Sequence, residues 1–95
     1  MSAYLIITRV ETHAPEEMEL YRSKLAPARA GHKFTSLAAY GRQRVLEGEP
    51  SEAHVILEFA TFEEAEAFYF DPAYQEAAKH RWACGPHRAV IVQGK

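Results

Sequence analysis

The chain has 95 residues, which bounds it to one compact domain spanning residues 1–95. Apolar residues make up 47% and charged residues 25%, a balance that excludes disordered and fibrous classes. Eleven Lys and Arg against thirteen Asp and Glu give a net charge of −2, which does not fit a basic nucleic-acid binder.

Residues 3–10, AYLIITRV, are almost continuously apolar and β-branched, the pattern of a strand covered on both faces. Pro15 then suits the first turn of a helix, followed by Glu16, Glu17 and Glu19 at the positive end of its dipole. Met18, Tyr21, Leu25 and Ala28 form one helical stripe, Pro27 kinks or ends the last turn, and Gly31 stops the helix. Residues 33–40 read as a weaker strand, with 42–46 extending a hairpin and 47–52 forming a loop around Gly48 and Pro50. Residues 54–59, HVILEF, are the second strongly apolar strand. Thr61 to Glu64 form a capping box that starts a helix with Phe62, Ala65 and Phe68 or Tyr69 inward. Asp71-Pro72 caps a further helix carrying Tyr74, Ala77 or Ala78, and Arg81 on one face. Gly85-Pro86 ends it, and residues 87–93 form the last strand.

The order β-α-β-β-α-β is that of an α+β, ferredoxin-like fold with a four-stranded antiparallel sheet. Its central strands are the first and third, and those are the two most apolar runs. Helices cover one face of such a sheet, yet both strands carry apolar side chains on both faces. A second copy packed sheet to sheet hides the uncovered face, giving a homodimer of the dimeric α/β-barrel type. The alternative is a long hairpin folded over its own sheet.

Several residues are candidates for chemistry. Glu58 lies within an apolar central strand, where a carboxylate is either a poised acid or base or the partner of Arg81, Arg44 or Arg9 in a structural ion pair. Tyr69, Tyr74 and Arg81 belong to the second helical region and could orient a small carboxylate or phenolic ligand, or serve as core. Arg42 and Arg44 would join Arg81 in an anion-attracting rim if they converge. They belong to a segregated charge pattern, in which residues 20–46 hold six basic and no acidic groups and residues 47–76 hold nine acidic and no basic ones. His80, Cys84 and His87 have a metal-like spacing, but Gly85-Pro86 breaks the helix before His87, so no metal site is expected.

No apolar run approaches the roughly 20 residues that span a bilayer, and the first residues lack the basic region and cleavage site of a signal peptide. The single cysteine excludes an internal disulfide and fits a reducing cytoplasm. Neither nucleic acid nor membrane is an expected partner.

Leu46-Glu47-Gly48, Val55 to Phe59, Ala65 with Phe68-Tyr69, Asp71-Pro72-Ala73-Tyr74-Gln75, Arg81 and Val92-Gln93-Gly94 together resemble the domain-of-unknown-function family 1330. Members more usually carry Trp-Tyr at Phe68-Tyr69 and Ser-Pro at Asp71-Pro72, and Cys84-Gly85-Pro86-His87 departs from their pattern. The resemblance implies a dimeric α/β barrel with a pocket in each subunit and no established activity. Its superfamily includes cofactor-free monooxygenases, haem-degrading enzymes, dehalogenases and muconolactone-isomerase-like proteins. The resulting expectation is an enzyme without a bound cofactor acting on a small aromatic or carboxylate metabolite, with Glu58 as acid or base. The alternative is a non-catalytic ligand-binding or stress-associated homodimer.

Overall fold

The computed structural model describes residues 1–95. Its elements are β1 (Ala3–Arg9), α1 (Pro15–Ala28), β2 (Thr35–Ala39), β3 (Ala53–Phe59), α2 (Phe62–Tyr69), α3 (Pro72–Cys84) and β4 (His87–Gln93). The strands form one sheet in the order β2-β3-β1-β4, with every neighbouring pair antiparallel. This is the ferredoxin-like arrangement, with the two most apolar runs at its centre.

Each helix starts where local chemistry supplies a partner for a free N–H or removes that N–H. Pro15 opens α1, where its absent N–H costs nothing. The Thr61 hydroxyl accepts from the Glu64 backbone N–H at 3.1 Å, so half of the capping box forms, while the Glu64 carboxylate makes no return bond. The Asp71 carboxylate accepts from the Ala73 N–H at 2.9 Å and starts α3.

Strand alternation divides the side chains between two faces. Ala3, Leu5 and Ile7 of β1 and Leu57 and Phe59 of β3 are buried toward the helices. Tyr4, Ile6 and Thr8 point the other way, in register with Glu58, Ile56 and His54. The helices leave that second face open, and Val90 and Val92 of β4 remain 53% and 45% exposed on it.

The second strand is shorter than the sequence indicates, and residues 42–46 do not extend a hairpin. They belong to an exposed irregular segment, residues 40–52. Pro50 removes a donor from the segment that would have to pair with them, and a bulge between Ser36 and Ala38 already disturbs the strand.

The turn between α3 and β4 is stitched to the segment that follows β1. The Val10 N–H donates to the Pro86 carbonyl at 2.9 Å, and the His13 and Ala14 N–H groups donate to the Cys84 carbonyl at 2.7 and 2.9 Å. Gly85 passes so close that a Cβ there would collide with the Glu11 carbonyl. This fixes where α3 ends and where His87 begins β4.

Candidate functional site

Two tyrosines on different helices meet above the sheet. Tyr21 comes from the inward stripe of α1 and Tyr74 from the first turn of α3. Both are buried, with hydroxyls 3.0 Å apart and rings set edge-on. Burial, reinforced by the neighbouring Tyr74, holds the Tyr21 hydroxyl protonated well above the ordinary tyrosine range. It therefore stays a hydrogen-bond donor at any physiological pH.

Helices α1 and α3 pack along each other, and their inward side chains share one core with β1 and β3. Below them lies a cavity of about 180 Å³. Its walls are mostly apolar, including Leu25, Phe34, Leu57 and Phe68 with the Tyr21 and Tyr74 rings. Phe34, Phe68 and Tyr74 belong to a continuous aromatic row that runs through Phe59 behind the wall, with successive ring centres 4.7 to 5.6 Å apart. Arg29 lies over Phe34, 4.8 Å from the ring centre, and Ser36 and Tyr40 add hydroxyls.

Beyond Tyr21 and Tyr40, a smaller recess of about 10 Å³ is bounded by Arg9, Arg81 and His87. Arg81 is 2% exposed, and its Nε and one terminal nitrogen have no hydrogen-bond partner. Its guanidinium carbon stands 6.0 Å from the centre of the Tyr21 ring. Arg9 is paired with Glu52 at 3.2 Å. The His87 Nδ1 is 2.8 Å from the Gly85 carbonyl, so the proton of the neutral ring sits on Nδ1 and Nε2 keeps its lone pair. Burial lowers the His87 pKa below its ordinary value, with Arg81 and Arg9 adding to the effect.

Of the residues expected from sequence to act on or bind a ligand, only Tyr74 and Arg81 come to this site. Tyr69 stacks beside Tyr74 with ring centres 5.5 Å apart, but it does not line the cavity. Arg44 lies in the exposed 40–52 segment, where it makes no ion pair, so the expected arginine rim does not form. Glu58 faces the open side of the sheet, opposite Tyr4 and Thr35, beside a shallow cleft that also contains Lys33. It makes no ion pair with Arg81, Arg44 or Arg9. Strand alternation is the reason: Leu57 and Phe59 point at the helices, so Glu58 cannot.

The residues of the metal-like triplet each have a separate surrounding. The His80 Nδ1 is 2.6 Å from a Glu17 carboxylate oxygen, which ties α3 to α1. Cys84 is fully buried, and His87 turns to the Gly85 carbonyl. The sequence does not mark Tyr21 or Tyr40 as site residues, and it marks Arg9 and His87 only as a Glu58 partner and a member of the metal-like triplet. The available signal was the inward stripe through Tyr21, which faces the same core as Tyr74.

The family model for the domain of unknown function DUF1330 matches residues 2–95. The chain belongs to DUF1330. No curated protein matches it. Among solved structures, this DUF1330 chain is similar to a protein of unknown function from Rhodopseudomonas palustris, with TM-score 0.71 and 19% identity over 99% of this chain and 82% of that one. It is similar to a dimeric ferredoxin-like protein of unknown function from Jannaschia sp. CCS1, with TM-score 0.68 and 15% identity over 99% of this chain and 100% of that one. It is also similar to SnoaB, a cofactor-independent oxygenase from Streptomyces nogalater, with TM-score 0.61 and 16% identity over 99% and 92%. At these identities the likeness establishes the fold of the DUF1330 chain and leaves its chemistry to its own residues.

Proposed function

We propose that this protein is a homodimer that binds a single-ring aromatic metabolite in the cavity between the helices and the sheet of each subunit. The observation that carries the reading is the aromatic-walled cavity of about 180 Å³ lined by the hydrogen-bonded pair Tyr21 and Tyr74. An apolar cavity of about 150 Å³ is enough to take up benzene. The tyrosine hydroxyls then supply the few convergent polar groups that orient a ligand in an otherwise apolar site.

The dimer follows from the open sheet face. Tyr4, Ile6, Ile56, Val90 and Val92 share it, and similar structures from Jannaschia and Thermobifida fusca are described as dimeric. A second copy seated sheet to sheet covers these side chains without blocking the cavity, which opens on the other side. A reducing, cytoplasmic setting suits the single buried thiol of Cys84.

A catalytic reading, without a bound cofactor, draws on His87 rather than Glu58. With Nδ1 committed to Gly85, Nε2 is the free basic nitrogen of a ring that bounds the recess, whereas Glu58 lies on the opposite face of the sheet.

Native mass spectrometry and calorimetry with single-ring aromatic compounds test the binding reading. Saturable binding of one molecule per subunit supports it, and indifference to every such ring contradicts it. Light scattering at micromolar concentration is expected to give about twice 10.8 kDa, and a monomer there contradicts the assembly.

A further inference from the structure

We infer that the ligand of this cavity is an anion, a single-ring aromatic acid whose charged oxygen enters the recess between Arg81, Arg9 and His87. This inference deepens the reading of the cavity as a small-molecule site and rests on it.

The first support is the state of Arg81. A guanidinium carries N–H donors in a fixed fork and remains charged at any pH a protein meets. Here it is 2% exposed, yet Nε and one terminal nitrogen donate to nothing. Burying a charge without partners is among the costliest arrangements in a protein interior. An arginine with two unpaired nitrogens and no carboxylate beside it, held in that state next to a cavity, is matched by an acceptor that arrives with the ligand.

The second support is the charge balance of the recess. Arg9 and Arg81 both bound it, and no carboxylate does. Glu52 offsets Arg9 from outside at 3.2 Å, so the positive charge of Arg81 is left over. His87 adds no negative charge, and the hydroxyls of Tyr21 and Tyr40 can donate. Every polar group around the recess is thus a cation or a potential donor, apart from the His87 Nε2 lone pair.

Size sets the class of anion. The recess holds about 10 Å³, close to the space of a single water molecule, and it shares Ile7, Tyr21, Tyr40 and Val55 with the larger cavity. One oxygen of a carboxylate or phenolate fits there while the ring stays among Phe34, Leu57 and Phe68. A phosphate or sulfonate head is too bulky for the recess. A neutral amide of the same shape presents an N–H group or a weaker acceptor to the same arginine.

Benzoate and its neutral counterpart benzamide make the comparison. Calorimetry at neutral pH and constant ionic strength is expected to show the wild-type protein binding benzoate at least tenfold more tightly than benzamide. In Arg81→Met that preference is expected to vanish while benzamide binding persists, and Arg81→Lys, which keeps the charge, is expected to retain part of it. Arg81→Gln serves the same comparison if Arg81→Met does not fold, with circular dichroism reporting the fold. Equal or tighter binding of benzamide by the wild type overturns the anion inference and leaves the cavity reading standing. A benzoate preference that survives the loss of the Arg81 charge also overturns it. Binding of neither compound contradicts the cavity reading itself, and this inference falls with it.

Discussion

The hydroxyls of Tyr21 and Tyr74, 53 residues apart in the chain, meet at 3.0 Å in the buried space between α1 and α3. One phenol donates to the other, which leaves one O–H free to donate to a ligand, and the contact ties α1 to α3. A cavity roofed in this way depends on both residues at once.

That mutual dependence predicts non-additive mutations. Tyr21→Phe or Tyr74→Phe leaves one buried hydroxyl without a partner and is expected to cost about 1–3 kcal/mol in urea denaturation. Tyr21→Phe/Tyr74→Phe removes both polar groups and is expected to cost less than the sum of the single changes. Additive losses would show that the hydroxyls do not depend on each other.

Arg81 is expected to behave unlike a structural ion-pair residue. Its charge is buried without a partner, so Arg81→Met, of similar length, should leave the urea midpoint unchanged or raise it, as often happens at functional sites. A loss of about 3–5 kcal/mol is the signature of a broken buried pair and would assign Arg81 to the scaffold.

Gly85 tests the placement of the α3–β4 turn. Gly85→Ala forces a Cβ against the Glu11 carbonyl and disturbs the hydrogen bonds from His13 and Ala14 to Cys84. A destabilisation of about 1–3 kcal/mol is expected from backbone strain, read by chemical denaturation. A neutral Gly85→Ala would mean that the segment after β1 does not pass there.

Asp71 supplies a pH dependence with a definite sign. Its carboxylate is 2.8 Å from the His32 ring nitrogen and caps α3 through the Ala73 N–H. The hydrogen bond from His32, with that from Ala73, holds its pKa below the ordinary 3.8. A carboxyl whose pKa is lowered on folding stabilises the protein above its unfolded value, and the contribution is lost as pH falls through the folded value. Melting temperature should therefore drop as pH falls below about 4, with a shallower drop in Asp71→Asn. Identical acid profiles for the two proteins would remove Asp71 from the acid response.

The sheet order and the helix starts were legible because they follow from local chemistry: apolar periodicity in residues 3–10 and 54–59, Pro15, Thr61 and Asp71 at helix entries. The site was legible only in part. Tyr74 and Arg81 share a helix face, so spacing along α3 links them. Glu58 misled because a carboxylate in an apolar strand draws notice while the face it points to depends on the register of the whole sheet. Tyr21, Tyr40 and His87 come from three other parts of the chain, and only the packing of α1 on α3 and the stitching of Gly85 bring them together. Arg44 belongs to a segment that Pro50 keeps out of the sheet, which is a matter of pairing rather than composition.

The central claim is that the ligand enters between the helices and the sheet and does not bind on the open face near Glu58. Chemical-shift mapping by NMR, with benzoate added to isotope-labelled protein, tests it directly. Tyr21, Phe34, Leu57, Tyr74 and Arg81 are expected to shift saturably while Tyr4, Ile56 and Glu58 do not. Shifts confined to Tyr4, Ile56 and Glu58, with the Tyr21 and Tyr74 signals unmoved, would contradict it.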